Sequence, residues 1–301
     1  MTVEGVIPAV VTPFAPGGGA VDLDALDAHV TWLHQHGIRC IAPLGTNGEG
    51  PSLSLTERKT AIERLAGHPT GIALLPGTGA TSLPETIELS RFAVEHGAAG
   101  VLVAPPSYYR AERDGVVRYY AALLDALPQA AQVYLYNVPA YTRVPIEVDD
   151  VIALRGAYGP RVTGVKDSGG RVEHSAALLR AVPGLVVLSG SDGTIAAAFR
   201  AGVHGVVSAL ANFVPEMVEE VRAAVAAGHW GEEEQARLSR LRDATKAVPQ
   251  RAALKALVAE VAGVPRAAVR PPLAELEPDE LATLLRRFEA LANFTTMEKE
   301  S

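Results

Sequence analysis

The chain of 301 residues could form one large α/β domain or two smaller ones, and its apolar content of 48% supplies a sizeable core. Its formal net charge of −7 argues against nucleic acid or an anionic membrane surface as the main partner. The single cysteine, Cys40, excludes an internal disulfide framework and fits a reducing compartment. The sequence shows neither a signal-peptide pattern nor a run of about 20 apolar residues, so we expect a cytoplasmic protein.

Short apolar segments alternate along the chain with longer amphipathic ones. The short segments are almost continuously apolar, which is typical of parallel strands covered on both faces. The predicted strands are 6–12, 37–44, 71–76, 100–104, 132–136, 162–166, 185–189 and 205–208. The helices predicted to follow them are 22–36, 56–66, 82–96, 113–127, 148–155, 172–181, 194–200 and 215–227.

Eight strand–helix units in regular alternation predict a (β/α)8 TIM barrel. The alternative is an open doubly wound sheet, which we disfavour because the first strand–helix loop lacks the GxGxxG pattern. Three further helical patterns follow without strands between them: 231–246, 250–261 and 278–291. We therefore expect a barrel over residues 1–228, a C-terminal helical extension over 229–292 that packs against it, and a flexible tail over 293–301.

Lys166 ends a short apolar run, and a glycine-rich turn follows it directly. A buried strand would thus deliver one amine at its carboxyl end, where barrel enzymes carry their active sites. Burial among apolar groups favours the neutral amine, a nucleophile that can form a Schiff base with a carbonyl substrate. On the local sequence alone, a lysine that snorkels or pairs with Asp167 is an equally good interpretation. The other lysines lie in polar, helix-like or tail segments: Lys59, Lys246, Lys255 and Lys299.

Other predicted strands also end in distinctive segments: GTNGEG at 45–50, PPSYY at 105–109, YLYNVP at 134–139 and SGSD at 189–192. Together with the VKDSGG segment at 165–170, they resemble the dihydrodipicolinate synthase / N-acetylneuraminate lyase family of class I aldolases. The resemblance runs from the TPF segment at 12–14 to about residue 215 and continues more weakly into the C-terminal helices. No single motif is decisive, but several in order, each at a predicted strand end, are specific.

The resemblance implies a reaction through an imine. Lys166 would attack the keto carbon of pyruvate, or of a 2-oxo acid that contains a pyruvate unit. Tyr136 matches the general acid/base tyrosine of the family, whereas a core tyrosine is its plain structural interpretation. Thr46 resembles the hydroxyl of the family's proton relay. Tyr109 resembles the second relay tyrosine, which in many members reaches across a subunit interface, although an exposed loop aromatic fits the sequence equally well.

The resemblance also implies a binding surface for the keto acid. Glycines around Thr46 and Asn47 would leave backbone N–H groups free for a carboxylate, although an ordinary turn has the same composition. Gly190 and Val207 match backbone positions that line the family's site.

Two positions differ from the members that condense pyruvate with aspartate semialdehyde. Tyr141 stands where those members carry an arginine for the second substrate's carboxylate, and a phenol cannot replace a bidentate guanidinium. Arg143 stands where a glycine is usual. We therefore predict an aldolase that cleaves a 2-keto-3-deoxy sugar acid or a 4-hydroxy-2-oxo acid, releasing pyruvate and an aldehyde. The alternatives are 4-hydroxy-tetrahydrodipicolinate synthase and a noncatalytic keto-acid-binding homologue.

The residue pattern and the family resemblance also predict the partners of the chain. The eight histidines form no ligand-spaced cluster, so we expect no metal. The imine mechanism implied by the resemblance needs no cofactor. We expect small-molecule 2-oxo acid and aldehyde ligands, no nucleic acid and no membrane, and the family resemblance implies a homo-oligomer, either a tetramer or a dimer.

Overall fold

Eight strands form one closed parallel barrel in the part of the chain that the computed structural model describes, residues 3–109, 111 and 114–297. Six strands pair in the order β1-β8-β7-β6-β5-β4, and β2 pairs with β3. The strands are β1 Gly5–Pro8, β2 Cys40–Ile41, β3 Ala73–Leu74, β4 Val101–Val103, β5 Val133–Asn137, β6 Val162–Asp167, β7 Val186–Ser189 and β8 Gly205–Ser208.

Backbone hydrogen bonds close the two gaps between these sheets. The Ala42 N–H donates to the Pro8 carbonyl at 2.9 Å and joins β2 to β1. The Ala99 N–H donates to the Leu74 carbonyl, also at 2.9 Å, and joins β4 to β3. The ring of eight strands confirms the predicted barrel and excludes the open doubly wound sheet.

The first four strands end earlier than predicted, and β2 illustrates the reason; β5 and β6 each end one residue later than predicted, and β7 and β8 end as predicted. Pro43 has no N–H to donate to a strand ladder, and Leu44 has a φ of 60°, in the left-handed region. The apolar run continues through both residues, but the backbone has already left the sheet. These strand ends therefore become loops that face the carboxyl end of the barrel.

The helices lie near their predicted positions. One helix, α5, was not predicted; it is a single turn that begins at Pro139, a residue favoured at the first helical position. Arg113, where the fourth predicted helix begins, lies outside the described residues. The helices are α1 Leu23–Gln35, α2 Leu55–Ala66, α3 Leu83–Glu95, α4 Gly115–Ala126, α5 Pro139–Thr142, α6 Val148–Tyr158, α7 Val172–Ala181, α8 Ile195–Arg200, α9 Pro215–Ala226, α10 Glu232–Lys246, α11 Gln250–Ala262 and α12 Pro278–Met297.

The core has three parts. One apolar cluster lies between the barrel and its surrounding helices, and a second joins the C-terminal helices to α8 and α9. The third fills the barrel interior and includes Cys40, Tyr136, Leu188 and Val207. Burial raises the pKa of the Cys40 thiol to about 12, so this cysteine is a small core residue, as its sequence context predicts.

The C-terminal extension packs against the barrel, chiefly on α8 and α9. Its last helix, α12, continues to Met297, so the first five residues of the predicted flexible tail are helical in backbone, and 298–301 lie outside the described residues. Among the described residues, no helix is long and apolar enough to cross a membrane.

Candidate active site

Lys166 and Tyr136 are neighbours on adjacent strands inside the barrel. They are direct partners in the parallel register of β5 and β6. Because side chains at paired positions of a sheet share a face, both reach the same side, and the Lys166 Nζ lies 4.1 Å from the centroid of the Tyr136 ring. Lys166 is 4% exposed and Tyr136 is 7% exposed. The two strands therefore bring together the amine and the phenol singled out in the sequence.

The carboxylate of Asp167 faces away from Lys166 and is held by other groups. It accepts hydrogen bonds from Asn137 Nδ2, Ser175 Oγ and His174 Nδ1, each at 2.9 Å, and from the Gly169 N–H. No ion pair joins Lys166 to any carboxylate within the described residues. The interpretation of Lys166 as the partner of Asp167, or as a snorkelling surface lysine, is therefore wrong.

These contacts shift the pKa values of Asp167 and His174. Burial raises the pKa of the Asp167 carboxyl, but the hydrogen bonds from His174 and Gly169 lower it by more, so the pKa lies below its ordinary value. The same contact with Asp167 raises the pKa of His174. Asp167 thus remains an anchored carboxylate that fixes the turn after β6 and leaves the Lys166 amine without a counter-ion.

The hydroxyl of Tyr136 forms a polar chain with its neighbours. Its oxygen lies 3.1 Å from the Thr46 Oγ1, in a hydrogen bond that either hydroxyl can donate. Burial raises the pKa of Tyr136, but the Lys166 ammonium and hydrogen bonds with Thr46, Lys166 and Ser168 lower it, with a net decrease. A phenol with a lowered pKa can give up and recover a proton more readily than a free tyrosine.

The backbone of the loop at 45–50 packs closely against the backbone at the carboxyl ends of the first two strands. A Cβ on Gly48 would lie 2.7 Å from the Val10 carbonyl oxygen, and one on Gly50 would lie 2.0 Å from that of Leu44, so only glycine fits at either position. The backbone N–H groups of Thr46 and Asn47 donate to no other protein group in the described part of the chain. Both residues are partly exposed, and their N–H groups are available to a ligand.

Gly190 lies against Lys166, and Val207 shares the interior cluster of Tyr136. A Cβ on Gly190 would meet the Ser168 Oγ at 1.9 Å and the Lys166 Cε at 3.1 Å. Gly190 therefore leaves the space that these two side chains occupy. Val207 is buried in the same interior cluster as Tyr136.

Three predicted site residues lie on the rim instead. Tyr109 is 80% exposed and packs edge-on against Tyr108, with ring centroids 5.1 Å apart. Tyr141 on α5 is 56% exposed, and its hydroxyl accepts a hydrogen bond from the Arg251 Nη2 at 2.8 Å. Arg143, with a φ of 56°, is exposed. Within the described residues, these three side chains form no hydrogen bond, ion pair or ring contact with Lys166 or Tyr136.

A cavity of about 320 Å³ opens beside Tyr136. Thr46, Tyr136, Tyr141 and the buried Arg58 line it; Lys166 is not part of its lining. Two larger cavities, of about 660 and 890 Å³, are lined by residues around the amino ends of the strands. Barrel chemistry takes place at the carboxyl ends, so the smaller cavity is the candidate site.

Two further polar residues, Ser168 and Asp192, accompany these side chains. The Ser168 side chain helps to lower the pKa of Tyr136. Asp192 accepts from the Ala209 N–H at 3.0 Å through one carboxylate oxygen, while the other is buried without a partner among the described residues. Burial raises the pKa of Asp192. Ser168 and Asp192 each follow a predicted strand within three residues, and this position is the signal by which the sequence could have pointed to them. No group of three or more His, Cys, Asp or Glu side chains in the described ranges could hold a metal ion.

Known proteins resemble the chain over nearly its whole length. The profile of the Dihydrodipicolinate synthetase family matches residues 2–291. An "Uncharacterized DapA-like lyase" of Chloroflexus aurantiacus is 37% identical over 97% of this chain and 98% of that protein. The 4-hydroxy-tetrahydrodipicolinate synthase of Sorangium cellulosum is 35% identical over 96% of this chain and 97% of its own.

A solved structure agrees in fold. YagE, a prophage protein of the dihydrodipicolinic acid synthase family from E. coli K12, was solved in complex with pyruvate. It superposes with a TM-score of 0.89 at 28% identity, over 96% of this chain and 98% of that one. This chain belongs to the dihydrodipicolinate synthetase family, and it is an enzyme of that family's pyruvate-dependent lyases and synthases.

Proposed function

We propose that the chain is a class I aldolase that forms a Schiff base between Lys166 and the keto carbon of a pyruvate unit. The observation that carries the proposal is the setting of Lys166. Its amine is buried, has no carboxylate partner in the described residues, and lies 4.1 Å from the ring centroid of a tyrosine whose hydroxyl bonds to Thr46. A desolvated amine next to a proton carrier is the arrangement that imine chemistry needs.

The reaction starts at the Lys166 Nζ. The neutral amine attacks the keto carbon, and the resulting carbinolamine takes a proton from the Tyr136 hydroxyl and loses water to give a protonated imine beside the Tyr136 phenolate. Tyr136 removes the proton from the hydroxyl on C4, the C3–C4 bond breaks, and an aldehyde leaves. The electron pair of that bond moves into the imine and forms an enamine. A proton returned through Tyr136 and Thr46 to C3 regenerates the imine, and water then releases pyruvate and the free amine. No cofactor is needed in this sequence.

The keto acid's carboxylate is assigned to the loop at 45–50. The free N–H groups of Thr46 and Asn47 point to this role, because successive backbone N–H groups form a concave site for an anion. Gly190 leaves room beside Lys166, and Val207 contributes to the apolar interior around it.

Reductive trapping tests this assignment. The protein is incubated with pyruvate, reduced with borohydride, digested and analysed by mass spectrometry. We expect the adduct on Lys166 and not on Lys255, which is equally buried and serves as the internal control. Lys166→Met should remove both adduct and turnover while the far-ultraviolet circular dichroism is preserved. A wild-type protein that carries no adduct, or carries it on another lysine, would contradict the proposal.

For the substrate, we propose a 2-keto-3-deoxy sugar acid or a 4-hydroxy-2-oxo acid. Tyr141 stands where condensing members of the family carry an arginine, and its hydroxyl is engaged by Arg251 on α11. Arg143 is exposed and held in a left-handed conformation at the end of α5. A buried carboxylate oxygen of Asp192 without a partner can accept a hydrogen bond from a hydroxylated substrate.

The second candidate is 4-hydroxy-tetrahydrodipicolinate synthesis, which is favoured by the name of the Sorangium cellulosum relative. A panel separates the two, with pyruvate release from 2-keto-3-deoxygluconate, 4-hydroxy-2-oxoglutarate and N-acetylneuraminate measured beside condensation with aspartate semialdehyde. Turnover of the semialdehyde alone would contradict our substrate class. Binding of pyruvate without turnover of any compound would favour the noncatalytic homologue.

We also propose a homo-oligomer. Tyr108 and Tyr109 form an exposed aromatic pair on the loop after β4, and in the family resemblance the second of them serves a neighbouring subunit. Light scattering coupled to size-exclusion chromatography gives the mass directly, and a monomer at all concentrations would contradict this proposal. The cytoplasmic location stays a prediction.

A further inference from the structure

A second buried lysine lies outside the proposed reaction. Lys255 on α11 is 2% exposed, and its Nζ lies 2.5 Å from the Glu49 Oε1. The same Nζ donates a hydrogen bond to the Ala268 carbonyl at 2.6 Å and lies 4.3 Å from the centroid of the Phe14 ring. Burial lowers the pKa of Lys255, while the contact with Glu49 raises it, with a net decrease. This amine is therefore fully occupied by protein groups.

The partner of Lys255 belongs to the loop that carries Thr46 and Asn47. Glu49 is a non-glycine residue with a φ of 52°, and Leu44, at the start of the same loop, has a φ of 60°. Such conformations are strained for residues other than glycine and persist only where the surroundings hold them. The Thr12 hydroxyl holds the loop from one side, by donating to the Gly48 carbonyl at 2.6 Å. Glu49 is the attachment on the other side.

The segment after α11 completes this attachment. The Arg270 N–H donates to the Glu49 Oε2 at 3.1 Å, so both oxygens of the carboxylate contact the C-terminal extension. The Arg270 guanidinium donates to the Ser52 carbonyl at 2.9 Å and forms an ion pair with Glu57. The C-terminal extension thus contacts both the loop at 45–50 and the residues directly after it.

We propose that Lys255 is a positioning residue, which through Glu49 fixes the backbone N–H groups of Thr46 and Asn47 for the keto acid's carboxylate. This role rests on the proposed function, because it concerns the binding of the same keto acid. A buried ion pair adds little stability relative to well-packed apolar residues of similar volume, so stability alone gives no reason for it. Fixing the geometry of a binding loop is a use that apolar residues could not serve.

The test compares Lys255→Met with a variant of matched position, Leu257→Ala. Leu257 lies on the same helix, is fully buried and packs in the C-terminal cluster, so its truncation loosens that helix without touching Glu49. Borohydride trapping on Lys166 is measured against pyruvate concentration in each folded variant. For Lys255→Met we expect the half-saturating pyruvate concentration to rise roughly ten- to a hundredfold, since small misplacements of binding groups have effects of that size. The trapping rate at saturation should change less than threefold, and Leu257→Ala should leave the half-saturating concentration within about twofold of wild type.

Glu49→Gln covers the case in which Lys255→Met does not fold, because it keeps the side-chain shape and removes the charge. It should raise the half-saturating concentration in the same direction. An unchanged value in the folded variants, or an equal rise in Leu257→Ala, would overturn the positioning role while the wild-type adduct leaves the proposed function standing. A wild-type protein that traps no pyruvate would overturn the proposed function, and this role with it.

Discussion

Lys166 and Lys255 are buried to nearly the same extent, at 4% and 2% exposure, yet their surroundings differ in one decisive respect. Lys255 has the carboxylate of Glu49 at 2.5 Å. Lys166 has the ring of Tyr136, and the nearest acidic side chain along its strand, Asp167, is bonded to other groups. Burial therefore does not by itself identify a nucleophile; the partner does.

The two sites differ in the groups that complete them. The carboxylate of Glu49 lies against the Lys255 amine, whereas the Lys166 amine lies against an aromatic ring whose hydroxyl bonds to Thr46. Tyr136 benefits in turn, because the Lys166 ammonium lowers its pKa. Lys255 is thus completed by an acid, and Lys166 by a tyrosine whose hydroxyl can carry a proton.

The largest expected difference comes from replacing each lysine by methionine, which has a similar volume. Lys255→Met leaves the Glu49 carboxylate buried and unpaired, and should lower the free energy of unfolding by about 3–5 kcal/mol. Lys166→Met strands no charge and should change it by less than about 1.5 kcal/mol, while turnover falls to background. Urea unfolding and a pyruvate-release assay measure both quantities, and similar stability losses in the two variants would break the comparison.

Removing the hydroxyl that completes the Lys166 site comes next. Tyr136→Phe keeps the ring beside the amine but removes the proton carrier, so kcat should fall by roughly 10²–10⁴ while the trapped adduct still forms. In the wild type, the alkaline limb of the pH–rate profile should reflect the lowered pKa of Tyr136, and the variant should lose that limb. The matched control is Tyr134→Phe, two residues earlier on the same strand; an equal loss there would contradict the role of Tyr136.

Acid should weaken the region around Lys255. His29 lines a cavity of about 10 Å³ together with Lys255, and burial lowers its pKa from 6.5 to about 4 against the opposing effect of the Asn212 carbonyl. The folded form stays neutral while the unfolded chain binds a proton, so stability is intact above pH 6.5 and falls as the pH drops towards 4. At 1.36 kcal/mol per unit, the loss reaches roughly 3 kcal/mol. His29→Leu should flatten this part of the pH dependence in urea titrations at pH 7 and 5; an unaltered slope would refute the assignment.

The smallest expected effect comes from crowding Lys166. In Gly190→Ala the new methyl group would collide with the Ser168 Oγ and approach the Lys166 Cε at 3.1 Å. Overpacking of this kind costs about 1–3 kcal/mol, and kcat/KM should fall by about ten- to a hundredfold. Gly156→Ala, where the structure has open space around the added methyl group, is the control. Wild-type kinetics in Gly190→Ala would show that the space beside the lysine is not needed.

The sequence predicted the juxtaposition of Lys166 and Tyr136 and missed the burial of Lys255. Lys166 and Tyr136 end apolar strands, and the strand period places both on the inner face. Lys255 was assigned to a polar, helix-like segment, because an isolated charge in a helix usually marks the solvent side. Seven consecutive residues of α11, from Ala252 to Val258, are instead buried, so the helix is enclosed on all sides. Local periodicity cannot reveal that enclosure, because it depends on packing between distant segments.

The contacts of the rim residues were beyond the sequence. Tyr109, Tyr141 and Arg143 were named from motif positions, and their roles stay predictions; Tyr109 is exposed, and Tyr141 lines the cavity beside Tyr136 and bonds to Arg251. The position of a loop side chain depends on contacts outside its motif, including contacts with a second chain. The barrel itself was predictable because eight repeated units leave few other ways to cover both faces of a parallel sheet.

The contacts between the C-terminal extension and Glu49 have a consequence for folding during synthesis. The Arg270 N–H contacts a carboxylate 221 positions earlier in the chain, and Lys255 contacts the same group. During synthesis, the loop at 45–50 leaves the ribosome long before either contact can form. Even if the eight strands have closed, a nascent chain holds this loop from the barrel side, through the Thr12 and Tyr136 hydroxyls, until α11 and the segment after it emerge. If Glu49 positions the loop as proposed, products truncated before α11 should accumulate as barrels that bind the keto acid poorly.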